Sequence, residues 1–468
     1  MITTEFLKRY VIAPIVFVLV LILWFMPASF FGIEGLTVVQ QRTIAIFCYA
    51  TLMWMFEIIP AWATSVTTII ILLLAVSDQG FTSQASGALV DYRQLMASFA
   101  DPVIMLFLGG FVLAISASKV GLDIFLAKGM LRPFGTKPQF VLLGFLIVIG
   151  VLSMFMSNTA TAAMMLAFLA PIIKALPEVG NERTCLTMSI PIAANIGGLG
   201  TPIGTPPNSI AIGQLGQMGI EIGFDAWMIR MVPIVIIVLL ISWRILLLLH
   251  PFKVKSIEVK IESDCKKDFR YWTVTITFLI TILLWITGEL THVNANVVAL
   301  VPFGVFAFTG IFDKNDFAKI DWHVLWMVAG GLALGTALNK TGLSTALVES
   351  YTVSNGSAIV VIIIAGLMAY LLSNFIANSS AANLLIPVFA VIGTAMADSL
   401  APIGGVTTLL VCIAASTSFA MLFPISTPPN AIASSSGLIK THDMLVAGFI
   451  IGLIGLFFSY AVLLLFPF

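Results

Sequence analysis

The sequence predicts an all-α polytopic membrane protein with about 11 transmembrane helices and two re-entrant hairpins in two inverted repeats. Three observations carry this. The chain has 468 residues, 60% hydrophobic and 9% charged, where a soluble domain carries about 25% charged residues. Apolar runs such as Tyr10 to Ser29, Trp227 to Leu249 and Leu445 to Phe468 are long enough to cross a hydrocarbon core. A short polar, helix-breaking grammar also occurs twice at nearly one spacing, which is the mark of an internal repeat.

The repeat rests on three anchors. Ser153, Ser157, Asn158 and Thr159 align with Ser373, Ala377, Asn378 and Ser379 at an offset of 220. Gly204-Thr205-Pro206-Pro207-Asn208 aligns with Ser426-Thr427-Pro428-Pro429-Asn430 at an offset of 222. Gly109-Gly110 through Lys119 and Gly121-Leu122 aligns with Gly330-Gly331 through Lys340 and Gly342-Leu343 at an offset of 221. A transmembrane barrel would instead show short alternating segments.

Basic residues orient the elements. With Lys8 and Arg9 cytoplasmic, spans near 10–30, 43–59, 62–78 and 101–119 alternate across the membrane. Lys119, Lys128, Arg132 and Lys137 then mark a cytoplasmic interfacial helix. The segment 139–175 is apolar but broken at Ser157-Asn158-Thr159, and Lys174 and Arg183 follow it, so it enters and leaves on one side as a hairpin. A broken span near 184–221 and a span at 228–249 complete the first half. The loop 250–270 holds Lys253, Lys255, Lys260, Lys266, Lys267 and Arg270. The second half repeats the scheme upside down: spans near 271–287, 294–311 and 323–339, a hairpin near 357–395, a broken span near 404–436 and a last span at 444–467. This layout leaves only Arg42, Arg93, Arg230 and Lys340 of the 22 Lys and Arg residues off the cytoplasmic side, as the positive-inside rule requires. The organisation is therefore an extra first span (1–42), a first repeat (43–249), a linker (250–270) and a second repeat (271–468). The N-terminus is expected in the cytoplasm and the C-terminus outside. The first run has no small-residue cleavage site behind it and reads as a retained span.

A chain break at membrane depth survives only where it lines a protein-buried or watery cavity. Pro206-Pro207 and Pro428-Pro429 cannot sit inside a regular helix. A single such break reads as a plain kink; a break in both repeats beside Thr and Asn reads as a binding site. Asn158 and Asn378 each both donate and accept hydrogen bonds, and Ser153, Ser157, Thr159, Ser373, Ser379 and Ser380 add hydroxyls. Each break also starts a half-helix, whose N-terminus favours an anion, while bared carbonyls at the opposite ends favour a small hard cation such as sodium. No charged residue lies within either motif, so an anion here needs neutral donors and a co-bound cation. Two matching half-sites suit a ligand with two acidic ends; sulfate or phosphate also fits. Importing a dianion against about 100 mV costs roughly 4.6 kcal/mol, which two sodium ions cancel. Glu57, Glu289 and Asp321 lie near span ends, as interfacial residues or helix caps. The four cysteines lack ligand spacing, zero net charge gives no hint of nucleic-acid binding, and no metal pair, Ser–His or Ser–Lys dyad or facing aspartates suggest an intramembrane enzyme. Paired hairpins argue for alternating access over a channel.

At these residues the chain resembles the divalent anion:sodium symporter family, which includes INDY-type sodium/dicarboxylate carriers. The likeness runs from about residue 40 to the end and is carried by Ser157-Asn158-Thr159 and the two Thr-Pro-Pro-Asn breaks. The resemblance implies a first Na+ site at Ser153, Ser157, Asn158 and the Gly204 backbone, and a second at Ser373, the Ala377 carbonyl, Asn378 and Ser426. It implies substrate carboxylates on Asn158, Thr159, Thr205 and Pro206 on one side, and on Asn378, Ser379, Thr427 and Pro428 on the other. It further implies an elevator-type ion transporter fold and a homodimer in an inner or plasma membrane. The transport domain would comprise about 139–249 and 357–468, and the scaffold about 1–138 and 271–356. Sodium-coupled import of C4-type dicarboxylates (succinate, malate, fumarate) is the implied activity; a sodium-independent exchanger and a sulfate or other divalent-anion symporter are the alternatives. The sequence departs from the family at Ala377-Asn378-Ser379, where Ser-Asn-Thr is usual.

Overall fold

The computed structural model describes residues 8–81, 85–177, 181–258, 267–350 and 357–468. Lys260, Cys265 and Lys266 of the expected cytoplasmic loop lie outside the described residues. Apart from one isolated bridge between Ser77 and Val90, the described secondary structure is helical.

The first half begins with α1 (Ala13–Phe25), an extra helix without a counterpart. Gln41 ties it to the next helix by donating to the carbonyls of Leu23 (2.9 Å) and Met26 (2.6 Å). There follow α2 (Val38–Phe56), α3 (Ala61–Ala75), α4 (Pro102–Lys119) and the short amphipathic α5 (Leu122–Leu131). The hairpin is α6 (Pro138–Phe155) and α7 (Asn158–Ala175), the broken span is α8 (Glu182–Gly198) and α9 (Pro206–Gln217), and α10 (Phe224–Leu249) closes the half. The second half matches element for element: α11 (Phe269–Ile286), α12 (Ala295–Phe308), α13 (Trp322–Lys340), α14 (Leu343–Ser350), hairpin α15 (Ala358–Ser373) and α16 (Asn378–Ala395), broken span α17 (Gly405–Ser418) and α18 (Pro428–Ser435), and α19 (Thr441–Leu465). Each half thus makes five crossings plus a hairpin that returns to its own side. An odd number of crossings delivers the chain to the opposite face, so the second half is inverted.

Packing obeys the same symmetry. α3 packs on α13 and α4 on α12, and α9 packs on α16 as α18 does on α7. At the centre lie α8 and α17, buried on every side from Cys185 to Gly198 and from Thr407 to Ser418. A helix with no solvent-facing or lipid-facing side belongs inside a bundle, and here its Thr, Ser and Asn side chains are enclosed by protein. Gly150 of α6 and Gly197 of α8 let these helices touch backbone to backbone; a Cβ on Gly197 would strike the Gly150 carbonyl. Small residues do this work in membranes, where the hydrophobic effect between helices is absent. The outermost helices do the reverse: α11 exposes Trp272, Ile276, Leu279, Ile280, Leu283 and Ile286, a surface that suits lipid.

By length and apolarity alone, seven described helices can cross a membrane, and four more are shorter apolar helices. The difference from about 11 spans has a structural reason. α6, α7 and α16 are hairpin arms, the two broken spans are split into short pieces, α2 carries Gln40, Gln41, Arg42 and Thr43 in its first turns, and α13 has polar ends at His323 and at Asn339-Lys340.

The end of α4 is braced to the loop before α13. Lys119 Nζ pairs with Asp313 (2.8 Å) and Asp316, and Lys319 also reaches Asp316 (3.0 Å). Burial resists ionisation of Asp316, but the Lys119 ammonium and the Asp313 backbone N–H outweigh it and hold the carboxyl below its ordinary range. The hydrogen bond from Lys119 pulls Asp313 down to about 2. Both groups are therefore ionised in the folded state wherever the unfolded carboxyl, near about 3.9, is ionised. Their contribution is complete above that value and is lost as pH falls toward 2. Replacing Lys119 by Met leaves Asp316 with Lys319 as its remaining ion pair. We expect a loss of about 1.5–3 kcal/mol, read as a lower thermal midpoint of the purified protein at pH 7.

Candidate functional site

A cavity of about 360 Å³ lies where the two hairpin turns and the two breaks meet. Small-molecule sites span roughly 300–1,000 Å³. The cavity wall contains Asn158, Thr159, Thr205 and Pro206 from the first half and Asn378, Ser379, Thr427 and Pro428 from the second. All of the expected substrate residues are thus brought together. Of the expected cation residues, Ser157, Asn158, Gly204, Ala377, Asn378 and Ser426 also line it, while Ser153 and Ser373 sit buried just behind the hairpin turns.

Four helices begin at this cavity. Their N-caps are Ser157 for α7, Thr205 for α9, Ala377 for α16 and Thr427 for α18, and all four caps line the wall. Pro206 and Pro428 occupy the first helical position, where a missing N–H costs nothing and the fixed φ suits the helix. The Pro-Pro pair therefore opens a half-helix rather than kinking a continuous one. Each N-terminus carries roughly half a positive charge. No Lys or Arg is among the lining residues, and one carboxylate, Asp321, is.

The breaks are held open by asparagines. Asn208 Nδ2 donates to the carbonyls of Gly198 (3.0 Å) and Thr201 (2.8 Å). Asn430 Nδ2 donates to those of Met421 (3.0 Å) and Phe423 (2.9 Å). Carbonyls freed by the unwound turns would otherwise be orphaned at membrane depth.

Behind each hairpin turn, oxygens converge. Ser153 Oγ lies 2.6 Å from Asn158 Oδ1 and 2.9 Å from the Ala194 carbonyl. The Gly204 and Ala194 carbonyls lie 3.1 and 3.2 Å from the same end of the Asn158 amide. If the amide turns over, its nitrogen donates to all three oxygens. With its oxygen inward, four neutral oxygens come together, the kind of donor set that suits a small hard cation. The second half repeats the pattern more loosely: Ser373 Oγ lies 2.8 Å from Asn378 Oδ1 and 3.2 Å from the Thr417 carbonyl. Ser426 Oγ is turned to the Asn374 carbonyl (3.0 Å). Gly198 is needed here for space: a Cβ would stand 2.6 Å from Asn158 Oδ1.

Several lining residues are absent from the sequence motifs. Phe107 and Phe111 of α4 and Val324 and Met327 of α13 form an apolar wall facing the polar half-sites. They come from the aligned Gly-Gly helices, but nothing in their spacing marks them as lining. Asp321, expected as an interfacial or capping residue, makes no side-chain cap and reaches the cavity. Asn195 of α8 also lines it, and nothing in the repeated motifs points to it.

Paired inverted hairpins and interrupted helices around one cavity with no Lys or Arg in its wall define a secondary transporter rather than an enzyme. The chain matches the sodium:sulfate symporter transmembrane region family over residues 7–466, and it belongs to that family. It is thus a multi-pass membrane transporter of a sodium-coupled class. Among its relatives are sodium-dependent dicarboxylate transporters SdcS. The one from Staphylococcus saprophyticus is 30% identical, covering 95% of this chain and 88% of that protein. One from Staphylococcus aureus is 31% identical with the same coverage. In fold, the chain is similar to the Alcanivorax borkumensis YdaH transporter (TM-score 0.53, 11% identity, 89% of this chain and 98% of that one). Neisseria gonorrhoeae MtrF is similar to the same degree (TM-score 0.53, 11% identity, 87% and 95%).

Gly198→Ala should displace the Asn158 amide and raise the sodium concentration for half-maximal uptake by about tenfold. Gly216→Ala, where a Cβ meets nothing within 4 Å, should leave it unchanged. Initial uptake rates against sodium in proteoliposomes make the comparison.

Proposed function

We propose that the chain imports C4-type dicarboxylates such as succinate, malate and fumarate, driven by sodium, in an inner or plasma membrane. The reading rests on one observation above the others: two matching uncharged half-sites face each other across a single cavity. Each supplies an Asn, hydroxyls and two helix N-termini, which suits one carboxylate per half. The dicarboxylate specificity of the SdcS relatives supports the same substrate class.

Coupling follows from the Asn158 amide. With a sodium ion in the oxygen cluster, Oδ1 turns to the ion and Nδ2 is left to donate into the cavity. Without the ion, Nδ2 turns to the three oxygens and Oδ1 faces the substrate, where it repels a carboxylate. Asn378 with Ser373 acts in the same way in the second half. Sodium binding thereby sets the polarity of the donors that hold the acid.

The motion we infer is an elevator. Except for Asp321, every polar group of the cavity belongs to the proposed transport domain, about 139–249 and 357–468. The proposed scaffold, about 1–138 and 271–356, contributes the apolar wall of Phe107, Phe111, Val324 and Met327. A polar site that travels whole against an apolar wall breaks few hydrogen bonds. A second cavity of about 880 Å³ lies between α9, α10 and the α11–α12 connection, leaving room along the same boundary. A homodimer with a cytoplasmic N-terminus and an external C-terminus completes the reading.

Radiolabelled succinate uptake into proteoliposomes, with and without a sodium gradient, tests it. We expect sodium-dependent uptake that succinate and malate compete for more strongly than sulfate or citrate. Dominant competition by sulfate would replace the substrate class, and uptake indifferent to sodium would make the protein an exchanger. Alanine at Asn158 or at Asn378 should abolish uptake while folded protein remains in the membrane; normal uptake in both variants refutes the assignment.

A further inference from the structure

The two half-sites are chemically unequal, and the inequality traces to one side chain outside the repeated motifs. Asn195 is 2% exposed and lines the cavity. Its Nδ2 donates to Thr427 Oγ1 (3.1 Å) and to Asn430 Oδ1 (3.1 Å), tying the first repeat to the break of the second.

The polarity of this cluster has one self-consistent assignment. The Met421 and Phe423 carbonyls only accept, so Asn430 must turn its nitrogen to them and its oxygen to Asn195. That oxygen only accepts, so Asn195 must present its nitrogen. The second proton of the same nitrogen goes to Thr427 Oγ1, which also accepts from the Asn430 backbone N–H (3.3 Å). A hydroxyl has two lone pairs and one proton. With both lone pairs engaged by donors, the proton of Thr427 must point elsewhere, and Thr427 stands on the cavity wall.

The first half lacks this relay. Ser153 bonds the Ala194 carbonyl as Ser373 bonds that of Thr417, so the register sets Ser418 where Asn195 stands. The shorter Ser418 hydroxyl donates to its own helix at Ala414 (3.1 Å). Asn208 Oδ1 is buried with no hydrogen-bond partner, and the Thr205 side chain accepts no capping bond.

We propose that Asn195 is a positioning residue that commits the Thr427 hydroxyl to donating, so that the second half-site takes only an acceptor group such as an ionised carboxylate. The first half-site, whose Thr205 hydroxyl is not so fixed, holds the more variable end of the substrate. This rests on the anion-carrier reading above.

The test is a double-mutant cycle with Asn195→Ser, which copies the other half, and Thr427→Val. Uptake kinetics are measured in proteoliposomes with whichever of succinate, citrate or sulfate the wild type carries. Asn195→Ser should raise KM about five- to tenfold, the net worth of one ordinary hydrogen bond, with Vmax little changed. In the Thr427→Val background it should raise KM no further. Where uptake by Thr427→Val is too slow, thermal stabilisation by the anion in sodium buffer reads the same affinity. An unchanged KM, a fall in Vmax alone, or an equal further rise in the Thr427→Val background overturns the proposal. A wild type that carries sulfate and not succinate sinks the dicarboxylate reading but leaves the cycle readable. A wild type that carries none of the three sinks both.

Discussion

The broken helix at membrane depth is the constraint on which the structure depends. Lipid offers no partner for a bared N–H or carbonyl, and each orphan costs several kcal/mol. Asn208 and Asn430 satisfy the carbonyls on one side of each break. What remains is the start of the next half-helix, where Pro206 and Pro428 remove one N–H each and a cavity receives the rest. Stabilising the break and offering a positive pole to an anion are consequently one piece of chemistry.

Weakness is part of this design. Four helix N-termini of about half a charge each sum to roughly the charge of a dianion. An arginine would grip a carboxylate bidentately whether or not a cation were present, and the ligand would bind without its driving ion. Neutral donors that depend on an adjacent cation for their orientation avoid that leak. The oxygen cluster behind Asn158, built from Ser153, Ala194 and Gly204, stands one amide away from the cavity, close enough for each ligand to sense the other.

Much of this was legible in the sequence because the repeat doubled every signal. The hairpin turns, the breaks and the spans lie within a few residues of their expected bounds, and the polar residues singled out by their offsets do meet. What could not be read was tertiary. Asn195 has no repeat partner of its own type, so the argument from doubling passed over it. Phe107, Phe111, Val324 and Met327 look like any membrane apolar residues until packing turns them toward the site. Asp321 fits a helix cap by position, but its side chain accepts no capping bond. The role of Gly198 depends on the approach of Asn158 from another helix, which no local pattern reveals.

The departure at Ala377 takes on a physical meaning in this frame. In the first half, Ser157 caps α7 and its hydroxyl accepts the Ala160 N–H at 3.2 Å, which uses one of the few free donors of that N-terminus. Ala377 has no hydroxyl and α16 has no side-chain cap, so the matching N–H of Ser380 keeps its proton for another partner. The Ala377 carbonyl still starts the helix by accepting from Ala381 (3.0 Å). Losing a serine here therefore removes a competitor for a backbone donor rather than a ligand, and leaves the second N-terminus the more electropositive of the pair. On the side that Asn195 biases toward an acceptor group the uncapped start is therefore that of the hairpin helix α16, whereas in the first half it is that of α9, whose Thr205 makes no capping bond, so the two halves offer their free backbone donors from opposite elements.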